Sequence, residues 1–259
     1  MKRKFLLNLC LFPISLLSVG FFQLNIFNLI SSPAVHATNW NAYNKNVENG
    51  GRNLNNGNYQ KALDFYNKAL KIYKKDGAIF YNRALSNYEL GNYKEAIEDY
   101  KEALNLEDKM RSAITHLNIG NSFKEIEEFE KALFHFNKAI SIKPNEGFYY
   151  QDRGYLYWEL DKWDEALKDF ETAKSKFLKK KEKINEYFYN DIGYVYFKLG
   201  SYNLAIDNYE KAIEMNPKEG MFYSDKGDAL YELGKEDEAC ANYINSSELG
   251  YEKIQDYLN

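Results

Sequence analysis

Two cysteines, four prolines and three histidines in 259 residues exclude several ways of building and using a protein. Cys10 lies in an apolar N-terminal segment and leaves Cys240 alone in the rest, so no intrachain disulfide framework is available there. Cys240 takes the place held by Leu63, Ile97, Leu133, Leu167 and Ile206 elsewhere in the chain, which predicts a buried small apolar side chain. With prolines this rare, helices can run unbroken. His36, His116 and His135 offer no pair at ligand spacing, so no metal site is expected. His116 replaces aromatics such as Phe80 and Tyr150 and is expected to be buried and hydrogen-bonded, whereas His135 is expected to be exposed. No glycine-flanked serine elbow, paired cysteine and histidine segments, or phosphate-cradling glycine loop is present. Carboxylates are plentiful, but nothing selects one pair as acid and base. The expectation is a protein that is not an enzyme, with no catalytic residue, cofactor or metal.

Positive charge is also in short supply, with 34 lysines and arginines against 38 aspartates and glutamates and a net charge of −4. The first residues hold three of those positive charges, Lys2, Arg3 and Lys4, followed by an apolar run from Phe5 to about Phe22 and the small-residue stretch Ser31 to Ala37. This order predicts an export signal over residues 1–37, cleaved after Ala37, or an uncleaved membrane anchor. On either reading the remainder lies on the non-cytoplasmic side, in the periplasm or an equivalent lumen. Removing residues 1–37 takes away three positive charges and no acidic ones, which moves the net charge from −4 to −7. A body of that sign repels phosphate backbones, so nucleic acid is not an expected partner.

What the chain has in abundance is small and aromatic residues at a fixed period. Ala62, Ala96, Ala132, Ala166, Ala205 and Ala239 stand 34, 36, 34, 39 and 34 residues apart. A period near 34 means stacked helix pairs. Starting units at Tyr43, Gly77, Ala113, Gly147, Glu186 and Gly220 puts Gly50, Ala84, Gly120, Gly154, Gly193 and Gly227 at the eighth place of each first helix. The second helix carries the alanine at the twentieth place, then Ala69, Ala103, Ala139, Ala173, Ala212 or Ser246 two turns on. Between them come Tyr66, Tyr100, Phe136, Phe170, Tyr209 and Tyr243, whose rings fill the space the small residues leave. Gly57, Gly91, Gly200 and Gly234 mark the turns between helices, but Glu127 and Asp161 replace them in the middle units, which predicts turns built differently or under strain. Pro144 and Pro217 end second helices.

This pattern resembles the tetratricopeptide repeat over about residues 43–253, in units near 43–76, 77–110, 113–146, 147–180, 186–219 and 220–253. The resemblance implies an all-α, right-handed α-solenoid of six helix-turn-helix units whose first helices line a concave groove. Residues 38–42 read as a linker, and residues 254–259 as a C-terminal capping helix. Asn46, Asn49 and Asn53 mark the first unit as a solvent-facing cap. The extra residues around Lys179–Ile184 lengthen the second helix of the fourth unit.

The groove is expected to be lined by Tyr81, Asn82, Leu85 and Tyr88, then Asn118 and Asn121, then Gln151, Asp152, Tyr155 and Trp158. Asn190, Asp191, Tyr194 and Phe197 continue it, followed by Ser224, Asp225, Asp228 and Tyr231. Asp152, Asp191 and Asp225 share one register and should align three carboxylates. Some members of the resembling family grip an acidic C-terminus with lysines, asparagines and an arginine. That clamp is missing, since Asn118, Asp152, Asp191 and Asp225 stand at the arginine's place. The expected function is a protein-interaction scaffold, or alternatively a self-associating or membrane-tethered assembly factor. The expected partners are polypeptides with basic and apolar segments.

Overall fold

The computed structural model describes residues 33–106 and 112–251. Residues 1–32 of the expected export signal, Cys10 among them, and the expected cap at 254–259 lie outside the described residues. Contacts divide the chain into Met1–Thr38 and Asn39–Asn259, and the second unit holds the repeats.

Among the described residues there are twelve helices and no strand. The first unit pairs α1 (Pro33–Asn55) with α2 (Tyr59–Ile72), and the second α3 (Gly77–Glu89) with α4 (Tyr93–Leu106). Then come α5 (Ser112–Glu125) with α6 (Phe129–Ile142) and α7 (Gly147–Glu159) with α8 (Trp163–Lys180). The last pairs are α9 (Glu186–Lys198) with α10 (Tyr202–Met215) and α11 (Gly220–Glu232) with α12 (Glu236–Glu248). From α2 onward each helix packs on the next, so the core is a continuous seam along an α-solenoid. Residues 38–42, read above as a linker, are helical within α1.

The seam is built from the small and aromatic places. Ala62, Ala96, Ala132, Ala166 and Ala205 are fully buried, as are Tyr66, Tyr100, Phe136 and Phe170. A Cβ added at Gly120 or Gly154 would come within 2.6 Å of the Phe136 or Phe170 ring. The eighth place is therefore small because the aromatic of the second helix lies flat on it. Ser246 replaces the last alanine and turns its hydroxyl to account by donating to the Gly220 carbonyl at 2.7 Å.

The turns without glycine keep the glycine shape. Glu127 and Asp161 sit at φ 60° and 55°, against 72° to 78° for Gly57, Gly91, Gly200 and Gly234. The strained alternative is thus the one adopted.

The fourth unit's second helix is longer, and Lys181 ends it in a left-handed conformation. Its extra turn carries Phe177 over Gly147, and Lys180 pairs with Glu146. At the N-terminal end, Asn46, Asn49 and Asn53 are half-buried and do not face open solvent. Trp40 stacks on Tyr43 with ring centroids 4.9 Å apart, and the Tyr43 hydroxyl donates to Asp76, which caps α3 by accepting from the Ile79 amide at 3.2 Å. At the other end Cys240 is exposed, contrary to expectation. Of its counterparts Ile97 is buried and Leu63, Leu133, Leu167 and Ile206 are half-buried; each has a following unit, and the sixth unit has none among the described residues.

Candidate functional site

The fifth, sixth, ninth and twelfth places of each first helix fall on one face because they are one, three or four residues apart on a 3.6-residue turn. Stacking brings the sixth place of each unit to the preceding unit's first helix, and a polar ladder results. Asn118 donates to the Tyr81 hydroxyl at 2.9 Å. Asn121 donates to Asp152 at 3.3 Å, and the Tyr155 hydroxyl donates to Asp191 at 2.6 Å. Asn190 donates to Asp225 at 2.9 Å. The aligned carboxylates are thus parts of the unit-to-unit interface.

Exposure differs along this face. Asn190 and Asp225 are 5% and 4% exposed and lie within the wall, whereas Tyr231 is 60% exposed. Asn82, Leu85, Gln151, Asp152, Asp191 and Asp228 are half-buried, and Asp228 accepts from the Tyr243 hydroxyl at 3.0 Å. The aromatic members gather toward the turns. Tyr88 meets Tyr93 edge to face at 5.3 Å, Trp158 stacks on Tyr194 at 4.7 Å, and Phe197 contacts Tyr202 at 5.5 Å. Lys198 lies over the Trp163 ring at 5.3 Å.

Withdrawal from water sets the electrostatics. Burial pushes the Asp191 carboxyl up to about 7 against the Tyr155 hydrogen bond, and nearby Asp225 raises it further. Burial also raises Asp152, where the Asn121 hydrogen bond and Lys124 pull the other way. Tyr155 is held well above the ordinary phenol range by burial and by Asp191.

The opposite side of the first helices carries features the sequence reading missed. Arg83 at the seventh place of the second unit holds Asp99 through Nε at 2.8 Å and Nη2 at 2.6 Å. Its Nη1 donates to Asn67 of the preceding unit at 2.8 Å. The fourth unit repeats the clasp, with Arg153 on Asp169 through two 2.7 Å bonds and on Asn137. The signal was an arginine sixteen residues before an aspartate, twice. In the third unit Ile119 and His135 take these two places. His135 is half-buried there, not exposed, with its Nδ1 3.0 Å from His116 Nδ1. Burial, His116 and Lys101 lower His135 to about 4, and burial and Lys138 lower His116. Among the described residues no third ligand joins them into a metal site.

Two open hollows lie elsewhere, one of about 400 Å³ lined by Leu70, Phe80 and Arg83 and one of about 380 Å³ lined by Phe123, Phe134 and His135. Neither contains a residue expected in the groove. Among the described residues no helix is long and apolar enough to cross a membrane.

Models of the tetratricopeptide repeat match residues 53–76, 76–145 and 187–219. Among solved structures, the C-terminal part of a repeat protein of this kind from Cytophaga hutchinsonii is 18% identical, with 80% of this chain and 81% of that one covered at a TM-score of 0.70. YrrB, described as having an unusual peptide-binding site, is 17% identical, with 73% and 94% covered at 0.61. MamA from Desulfovibrio magneticus is 17% identical, with 70% and 97% covered at 0.60. At these identities the likeness shows the fold alone. No curated protein matches the sequence.

Proposed function

We propose that this chain, an array of tetratricopeptide repeats, is a non-catalytic protein-interaction scaffold that binds polypeptide segments along its polar ladder, outside the cytoplasm. The observation that carries the reading is the ladder itself. One face of five successive first helices presents amides, carboxylates and rings at a constant register, including Asn118, Asp152, Asp191, Tyr155 and Trp158. An extended chain laid across such a face meets a repeating set of hydrogen-bonding groups for its backbone and rings for its side chains. YrrB is described as binding peptide on the same fold, which supports the reading by analogy. The sign of the face favours partners with basic and apolar residues. The extracytoplasmic placement rests on Lys2, Arg3 and Lys4 ahead of an apolar run and the small residues before Ala37.

Titrating the full chain with two peptides of equal length and apolar content but opposite charge tests the function. The basic peptide is expected to bind about tenfold tighter, with an advantage that shrinks as salt rises. Equal or tighter binding of the acidic peptide overturns the preference, and binding of neither overturns the scaffold reading. The mass of the mature N-terminus and its cell fraction test the placement.

A further inference from the structure

The helices of a pair run antiparallel, so the ends of second helices and the starts of first helices share one edge of the array. Asp76 at the start of α3 accepts from Tyr43 of α1 there, and Ser246 of α12 donates to Gly220 at the start of α11. Corresponding corners on this edge differ in charge. Residues 141–146 hold one lysine and one glutamate and residues 214–219 one lysine and two glutamates, whereas residues 71–76 hold three lysines and one aspartate. That aspartate, Asp76, is engaged by the Tyr43 hydroxyl and the Ile79 amide, and the first turn of α3 adds no acid. Lys71, Lys74 and Lys75 are all exposed. The same corner keeps large apolar side chains in water, with Trp40 52%, Tyr73 41% and Ile72 38% exposed. Trp40 meets Tyr73 edge to face at 6.1 Å and Tyr43 meets Tyr73 at 5.9 Å, so the rings form one fixed set. In the sequence Trp40 stands ten residues after Ile30, where the apolar N-terminal stretch ends.

We infer that the corner formed by Trp40, Ile72, Tyr73, Lys71, Lys74 and Lys75 docks on the surface of an anionic lipid bilayer. Tryptophan and tyrosine settle at headgroup depth, with the ring against the acyl boundary and the polar atom in water. Lysine stems lie along apolar surface while their ammonium groups reach the phosphates. The chain as a whole carries a net charge of −4, so a negative surface repels most of it and attracts this corner, which sets the orientation of the array. A nucleic acid or an acidic polypeptide would use the lysines and leave Ile72 in water, and the pairing of basic with aliphatic and aromatic side chains favours the bilayer. The corner lies apart from the groove face, so it stands or falls independently of peptide binding.

The test reconstitutes the full chain in vesicles of phosphatidylcholine alone or of equal parts phosphatidylcholine and phosphatidylglycerol. Both contain lipid brominated high on the acyl chain, which quenches indole at the interface. The chain has three tryptophans, and subtracting the signal of Trp40→Phe isolates Trp40. Its quenching is expected to be at least about twofold greater with phosphatidylglycerol and to fall to the phosphatidylcholine level at high salt. Lys71→Glu combined with Lys74→Glu and Lys75→Glu should remove the difference between the lipids. Lys179→Glu combined with Lys181→Glu and Lys183→Glu, on the fourth unit, should keep it. All six lysines are exposed, so both variants should melt with the parent, and the salt dependence of the parent reads the same contact without any variant. Equal quenching of Trp40 in the two lipids, no quenching in either, or equal loss in the two lysine variants overturns the inference. A shift of Trp40 emission with poly-glutamate, without greater quenching by phosphatidylglycerol vesicles, overturns it in favour of an acidic polypeptide.

Discussion

Asp99 and Asp169 on one side of the array, and Asp191 and Asp225 on the other, are all drawn away from water, yet their surroundings are opposite. The first two are each gripped by an arginine in two parallel bonds that also tie in an asparagine of the preceding unit. The second two receive a phenol and an amide. Removing a carboxylate from water costs several kcal/mol, and a bidentate guanidinium offsets much of that while a neutral donor offsets less. The clasped side thus meets its carboxylates with arginine, whereas on the ladder side Asp191 meets a neutral phenol.

The widest separation between the two sides should come from removing their partners. Arg153→Met strips Asp169, 3% exposed, of its counter-charge and should cost about 3 kcal/mol in urea or thermal unfolding. A loss no larger than about 0.5 kcal/mol, typical of a surface change, would mean that the clasp is incidental and the comparison empty.

Acidity should sharpen the contrast next, with an effect of up to about 3 kcal/mol. Asp191 is raised from 3.8 to about 7 in the folded chain, so the folded state holds its proton more tightly. That contribution is greatest below 3.8 and fades as pH rises to about 7. His135 is lowered from 6.5 to about 4, so its effect is absent above 6.5 and destabilising as pH falls from there toward 4. Urea midpoints across this range should show Asp191→Asn removing the loss on the alkaline side, with a net gain at pH 8. His135→Phe should flatten the loss on the acid side, in part only, because His116 is lowered as well. Slopes of the reverse sign would show that these groups are not held from water as described.

The units, their alanines and their rings were legible because each depends on spacing within one helix pair, which the chain writes directly. So was the shared face of the fifth, sixth, ninth and twelfth places, which follows from the helical period. The partners within that face were not, because the offset at which Tyr155 reaches Asp191 or Asn190 reaches Asp225 is set by how units stack, 35 or 36 residues apart. The same reason hid the burial of Asn190 and Asp225. His116 and His135 stand nineteen residues apart, no ligand spacing on one helix, and only the hairpin of α5 and α6 brings them together. The arginine clasps stand in the sequence as a repeated spacing, but an arginine and an aspartate sixteen residues apart carry no sign of pairing until the two helices of a unit fold together. Glu127 and Asp161 showed where glycine was missing, though not that the backbone would keep the left-handed turn regardless.

Those two turns supply the smallest effect and the control the comparison needs. Each non-glycine residue at φ near 60° carries roughly 1 kcal/mol of strain, and glycine relieves it while adding unfolded-state entropy, for a net gain of about 0.5 kcal/mol apiece. Glu127→Gly with Asp161→Gly should therefore raise the melting temperature slightly without touching either the clasps or the ladder. If Asp191→Asn loses the basic peptide while becoming more stable, the loss has two readings, removed charge or a stiffened groove. The glycine pair stiffens the array and leaves the charge in place. Full binding of the basic peptide by the glycine pair assigns the Asp191 loss to charge, whereas weakened binding in both variants assigns it to rigidity and dissolves the distinction between the two faces.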